Sequence, residues 1–143
     1  MHRLLYTSQA CFPDGLDPES EVRRLASKAA EFNQACGVTG ALLYVEGTFI
    51  QVLEGRFAYL EDTFERICCD FRHEKLRLLD LVPVDGRLFY GWSMACLTVE
   101  GAREVRLKSQ IQEVRSLVGV NARDAVKGIQ ALLKEQEPAR IAA

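Results

Sequence analysis

The segment Val38-Thr39-Gly40-Ala41-Leu42-Leu43-Tyr44-Val45-Glu46-Gly47-Thr48-Phe49-Ile50-Gln51-Val52-Leu53-Glu54-Gly55 decides the fold. Two runs of apolar and β-branched residues flank Glu46-Gly47, a two-residue hairpin turn, so strands are predicted over 38–45 and 48–54. The turn sets the register, pairing Tyr44 with Phe49 and Leu42 with Gln51. Side chains alternate along a strand, which puts Phe49, Gln51 and Leu53 on one face and Ile50 and Val52 on the other. Gln51 thus shares a core face with a Phe and a Leu. Burying a polar group without a partner costs roughly 1–3 kcal/mol, so this amide needs something polar beside it. For Gln51 alone, satisfaction by neighbouring backbone or by water at a sheet edge is the plainer account.

Outward from the hairpin, Arg3-Leu4-Leu5-Tyr6-Thr7-Ser8 reads as a first strand with Leu4, Tyr6 and Ser8 on one face. Asp17 is a good N-cap with Pro18 at the first helical position, predicting a helix to Cys36 closed by a left-handed Gly37. Val22, Leu25, Ala26, Ala29, Ala30 and Phe32 are its apolar positions. A second amphipathic helix is predicted from Phe57 to Phe71, through Leu60, Phe64, Ile67 and Cys68. Strands over 76–84 and 88–97, joined around Asp85-Gly86-Arg87, follow. The order β-α-β-β-α-β-β predicts a ferredoxin-like α/β (α+β) sandwich, with two helices on one face of an antiparallel-rich sheet. Two further stripes, Leu107, Ile111, Val114 and Val118, then Ala125, Ile129, Leu132 and Leu133, predict C-terminal helices that cover the other face or a partner chain. The expected organisation is a core over 1–98 and a helical extension over 99–143 packed on it as one unit.

At 143 residues, with 27% charged and 48% hydrophobic side chains, the chain suits one soluble domain with a real core. The net charge of −2, with no basic stripe interleaved with aromatics, argues against nucleic acid. No apolar run approaches the about 20 residues that span a bilayer, and the N-terminus lacks a secretory leader, so a cytoplasmic protein is expected. The five cysteines, Cys11, Cys36, Cys68, Cys69 and Cys96, form no C-x-x-C pair and are expected as reduced thiols in small apolar positions. With His2 and His73 the only histidines, zinc and thiol catalysis lack partners, and no metal is expected.

Several polar or aromatic residues remain. Leu25, Ala29 and Asn33 are spaced four apart on one face of the first helix. Ile67 lies on the second helix's stripe, with Arg72 and His73 just past its end. Trp92 and Met94, two apart in the last predicted strand, share a face. The Tyr6 phenol needs a partner if buried. Each has an ordinary account by itself: a local cap, a solvated helix terminus, a core pair, an interfacial tyrosine.

Together they resemble the BLUF family of flavin-using blue-light sensors. Tyr6-Thr7-Ser8-Gln9-Ala10 is similar to the family's opening. Asn33 followed by Gly37-Val38-Thr39-Gly40-Ala41-Leu42-Leu43-Tyr44 resembles its first helix end and second strand. Phe49-Ile50-Gln51-Val52-Leu53-Glu54-Gly55 matches its F-x-Q-x-L-E-G signature, and Asp70-Phe71-Arg72-His73 and Gly91-Trp92-Ser93-Met94 its last motifs. The resemblance covers roughly residues 2–97. It implies FAD, with FMN or riboflavin as shorter alternatives, between the two core helices: Leu25 and Ile67 on the ring faces, Asn33 at its polar edge, Gln51 between that edge and Tyr6, and Arg72 and His73 near the ring or its chain. The residue before the Asn is usually polar in the family, and here it is Phe32.

The resemblance further implies a photoreceptor and no enzyme. Proton-coupled electron transfer from Tyr6 via Gln51 would rearrange the hydrogen bonds around Gln51. The change would pass through the Trp92/Met94 strand to the C-terminal helices and a protein partner, since no cyclase, phosphodiesterase or DNA-binding module is expected on the chain. The apolar C-terminal stripes also suit a homo-oligomer. The competing readings are a flavin-dependent oxidoreductase, which lacks a G-x-G-x-x-G fingerprint, and a flavin-free ferredoxin-like interaction module.

Overall fold

Glu46 and Gly47 both take positive φ, 47° and 80°, the two-residue turn that matches the right-handed twist of flanking strands. It joins β2 (Thr39–Val45) to β3 (Thr48–Gly55) in the predicted register, Tyr44 opposite Phe49 and Leu42 opposite Gln51. The computed structural model describes residues 1–70, 72–98, 105–136 and 140–141. Around the hairpin stand β1 (His2–Ala10), α1 (Pro18–Cys36), α2 (Phe57–Cys68), β4 (His73–Pro83), β5 (Met94–Thr98), α3 (Val105–Leu117), α4 (Ala122–Gln136) and the short β6 (Arg140–Ile141). The six-stranded sheet has the order β4-β1-β3-β2-β5-β6. Its first four strands pair antiparallel, and β5 joins β2 in parallel.

Local chemistry sets the helix ends. Asp17 accepts the Ser20 N–H and Gly37 closes α1 at φ 69°, as the cap residues predict. α2 stops at Cys68, three residues before the predicted Phe71, which lies outside the described residues. There the Asp70 carboxylate accepts both the Arg72 backbone N–H and its guanidinium. This local turn competes with another helical turn and releases the chain into β4 at His73, earlier than predicted.

The sheet has two buried faces. On one, Leu4, Tyr6, Leu42, Phe49 and Leu53 meet Val22, Leu25, Ala26 and Ala30 of α1 and Leu60 of α2. On the other, Leu5, Leu43, Ile50 and Val52 meet Ile111 and Val114 of α3 and Ile129, Leu132 and Leu133 of α4. The C-terminal stripes thus cover the second face of their own sheet. Of the cysteines, Cys36 and Cys96 pack on the core, but Cys68 and Cys69 are exposed at the end of α2, against the expectation of apolar positions.

The final strand differs most from its prediction. The run 88–97 is a strand only from Met94 onward. Arg87 is drawn to the far end of the hairpin, donating to Thr39 Oγ1, Glu54 O and Gly37 O, while the fully buried Glu54 carboxylate accepts the backbone N–H groups of Leu88 and Phe89. These contacts capture the backbone that a strand would need, and Gly91 turns it at φ 85°. Trp92 and Met94 therefore lie on opposite sides of the sheet rather than sharing a face: Trp92 packs with Phe89 toward α3 and α4, Met94 toward α1.

Close packing of the hairpin fixes one glycine. A Cβ on Gly40 would collide with the Val52 carbonyl oxygen of the neighbouring strand. Gly40→Ala is expected to destabilise the fold by about 2 kcal/mol through strand displacement, read as a lowered urea midpoint at unchanged m-value.

Candidate functional site

The β1–β3 register sets Tyr6 directly opposite Gln51. The phenol donates to Gln51 Oε1, and Gln51 Nε2 donates to Met94 Sδ at 3.6 Å. Tyr6 and Met94 are fully buried and Gln51 nearly so. Burial pushes the Tyr6 phenol well above its ordinary pKa, so it remains a proton donor. Gln51 has a strong partner for its oxygen and a weak acceptor, a thioether, for its nitrogen. Its amide is therefore held in one orientation by a small preference rather than locked on both sides.

Gln51 reaches an open cleft between α1 and α2, with about 600 Å³ of empty space including its mouth to solvent. Two rows at helical spacing face each other across it. Leu25, Lys28, Ala29, Phe32 and Asn33 come from α1, and Thr63, Arg66 and Ile67 from α2. Asp70, Arg72 and His73 close the end where α2 passes into β4. Asn33 is buried in this lining. Its Nδ2 donates to the Ser93 carbonyl at 2.7 Å, and its Oδ1 has no hydrogen-bond partner among the described residues. An orphaned buried acceptor costs roughly 1–3 kcal/mol, a deficit that a ligand N–H would remove.

His73 lines this end of the cleft, its Nδ1 2.8 Å from Ser8 Oγ and its ring 4.7 Å from that of Phe49. Burial is the main cause that lowers its pKa from 6.5 to about 4, against the attraction of Asp70, so the imidazole is neutral. Arg72 clasps Asp70 at 2.6 Å, and this hydrogen bonding holds the Asp70 carboxyl below the usual range. Among the thiols, burial pushes Cys96 up to about 11, leaving it an inert core group.

The fold has known counterparts. The family model for sensors of blue light using FAD matches residues 1–95. The chain belongs to the BLUF family. A solved BLUF protein, BlrB in its dark state, superposes with a TM-score of 0.76 at 25% identity, covering 93% of this chain and 96% of that one. BlrP1 of Klebsiella pneumoniae, solved with FMN and cyclic diGMP, gives a TM-score of 0.62 at 34% identity over 70% of this chain and 26% of its own. The photoactivated adenylate cyclase subunit beta of Euglena gracilis is 34% identical over 94 residues, 66% of this chain. The chain spans only 11% of that relative's length.

The family cofactor is a flavin, a flat and largely apolar ring with one edge of N–H and C=O groups, and this BLUF cleft fits it. Leu25, Ala29 and Ile67 offer apolar walls, while the free Asn33 oxygen and the Gln51 amide lie together on the lining. Of the residues singled out in the sequence, Leu25, Asn33, Gln51, Ile67, Arg72 and His73 line this one cleft. Tyr6 and Met94 stand behind it through Gln51, and Trp92 is absent from the lining. Lys28, Thr63 and Arg66 were not anticipated, and Asp70, Ser8 and Ser93 stood in the quoted motifs without a role. The spacing Leu25-Lys28-Phe32 facing Thr63-Arg66-Asp70 is the signal that could have found four of them.

His73 gives a pH signature. Its folded pKa lies below its unfolded one, so the unfolded state binds the extra proton between pH 6.5 and about 4. Its contribution to stability is complete above pH 6.5 and is lost as pH falls through that window, by roughly 3 kcal/mol at most. Urea midpoints at pH 7 and pH 5 are expected to diverge more for the wild type than for His73→Asn.

Proposed function

We propose that this chain is a blue-light photoreceptor whose switch is the Gln51 amide, held between Tyr6 and Met94 at the edge of a flavin cleft. The observation that carries the reading is the buried chain from the Tyr6 phenol through Gln51 to Met94, ending beside an orphaned Asn33 acceptor. In this reading Leu25 and Ile67 hold the two faces of the ring and Asn33 its polar edge. Arg72 and His73 lie near the ring or its chain, and FAD is the favoured form, with FMN or riboflavin also accommodated. Bound there, the flavin supplies light absorption and, once excited, a strong oxidant.

Tyr6 is the group placed to give up an electron to that oxidant and a proton that would pass along its hydrogen bond and on through Gln51. A glutamine amide has a donor end and an acceptor end, so rotation or tautomerisation exchanges its partners. Rotation would turn the amide NH2 toward the Tyr6 oxygen and leave carbonyl oxygen against the Met94 sulfur, which cannot donate. The Met94 contact is therefore lost, and Met94 is free to shift.

Met94 begins β5, and the segment before it supports a relay. Asn33 holds the Ser93 carbonyl, Gly40 N–H holds that of Trp92, and Gln130 of α4 donates to that of Leu88 at 3.3 Å. Phe89 and Trp92 pack into the core shared with α3 and α4. A change at Gln51 would thus bias the stretch 87–94 and the helices over it, with residues 1–98 as sensor and 99–143 as its helical extension. Output is by direct contact with a protein partner, in a cytoplasmic protein that binds neither nucleic acid nor membrane and is not itself an enzyme; the homo-oligomer expected from the C-terminal stripes loses that argument, because the stripes are buried on their own sheet. Among the described residues no helix is long and apolar enough to cross a membrane.

The test is an absorption spectrum of purified, dark-adapted protein before and after blue light. A flavin spectrum that shifts slightly to the red and recovers in darkness is expected. A flavin that bleaches, or stays unchanged, would contradict the switch. Tyr6→Phe and Gln51→Leu are expected to retain flavin and lose the shift.

A further inference from the structure

Phe32 stands beside Asn33 where the family usually carries a polar residue, and it is 44% exposed at the rim of the cleft. Its ring is not left bare. The guanidinium of Arg66 lies 4.0 Å from the ring centroid, within cation–π distance. Phe32 belongs to the last turns of α1 and Arg66 to the last turn of α2, so the contact joins the two helices across the cleft. The helices themselves pack mainly on the sheet, α1 over β2 and β5 and α2 over β1, β3 and β4.

We infer that Phe32 and Arg66 form a latch across the cleft that sets how fast a flavin enters and leaves. The inference rests on the flavin reading and adds the control of exchange to it. The latch is made by protein groups alone, so breaking it is required equally on the way in and on the way out. It therefore acts on both rates by the same factor and leaves the affinity untouched. A side chain that gripped the flavin directly would instead change release alone, and the affinity with it.

The experiment measures association of FAD and of FMN with apoprotein by quenching of flavin fluorescence, and release into excess riboflavin. Phe32→Leu keeps the apolar bulk and removes the π face; Arg66→Met keeps the stem and removes the charge. Each is expected to raise the association rate about two- to fivefold, the factor an exposed cation–π contact is worth, and release by at least as much, since both side chains also line the cleft. The double variant is expected to match either single one, because each already removes the whole contact. Phe32→Trp, with a stronger π face, is expected to slow both rates. Unchanged rates, additive effects, or a changed Kd at constant association rate would overturn the latch while leaving the flavin site intact. Failure of the wild-type apoprotein to take up either flavin would overturn the flavin reading, and this inference with it.

Discussion

The hydrogen bond from the Tyr6 phenol to Gln51 exists because β1 and β3 pair in one register, and most of the molecule serves that register. A slip by one residue would send Tyr6 or Gln51 to the opposite face of the sheet, away from the cleft. The hairpin turn at Glu46-Gly47 fixes β3 against β2, and β1 is fixed in turn from both sides, by β3 and by β4. Glu54 adds an electrostatic stop at the end of the same strand. Its fully buried carboxylate pairs with Arg3 of β1 at 2.8 Å, directly across the ladder, so a shifted register would strand a buried charge.

The same Glu54 ties the sensor face to the output face. It accepts the N–H groups of Leu88 and Phe89, fixing the segment that carries Phe89 and Trp92 into the second core. Between Trp92 and Met94 the chain crosses from one core to the other within two residues, with Ser93 held by Asn33. In the proposed switch this crossing is the place where a rearranged amide on one side becomes a packing change on the other. The weak thioether acceptor suits such a role: a strong partner for Gln51 Nε2 would lock the amide, and an apolar one would leave the nitrogen unsatisfied.

Much of this was legible in the sequence because it is local. Asp17-Pro18, Gly37 and Glu46-Gly47 declare their conformations through side-chain chemistry, and the stripes on α1, α3 and α4 through periodicity. Gln51 was legible for a different reason: it is polar on a face that must be core, so it demanded a partner, whereas Asn33, which a local cap would explain by itself, gained its role only from the resemblance. The misreadings came where distant contacts overrode local preference. Leu88–Leu97 has the composition of a strand, yet Arg87 and Glu54 hold its first half as a loop, which moved Trp92 to the opposite face from Met94. The Asp70–Arg72 turn likewise ended α2 early. Ser8 with His73 and Phe32 with Arg66 were invisible as pairs because each member is unremarkable by itself and the fold alone brings them together.

The most direct test of the account is light-minus-dark infrared difference spectroscopy on protein whose glutamine side-chain amides carry ¹⁵N. If the Gln51 amide exchanges its partners, amide side-chain bands that move on labelling appear in the difference spectrum and recover with the flavin in darkness. A difference spectrum insensitive to the label, alongside an intact light-induced flavin shift, would show that the switch lies elsewhere in the cleft.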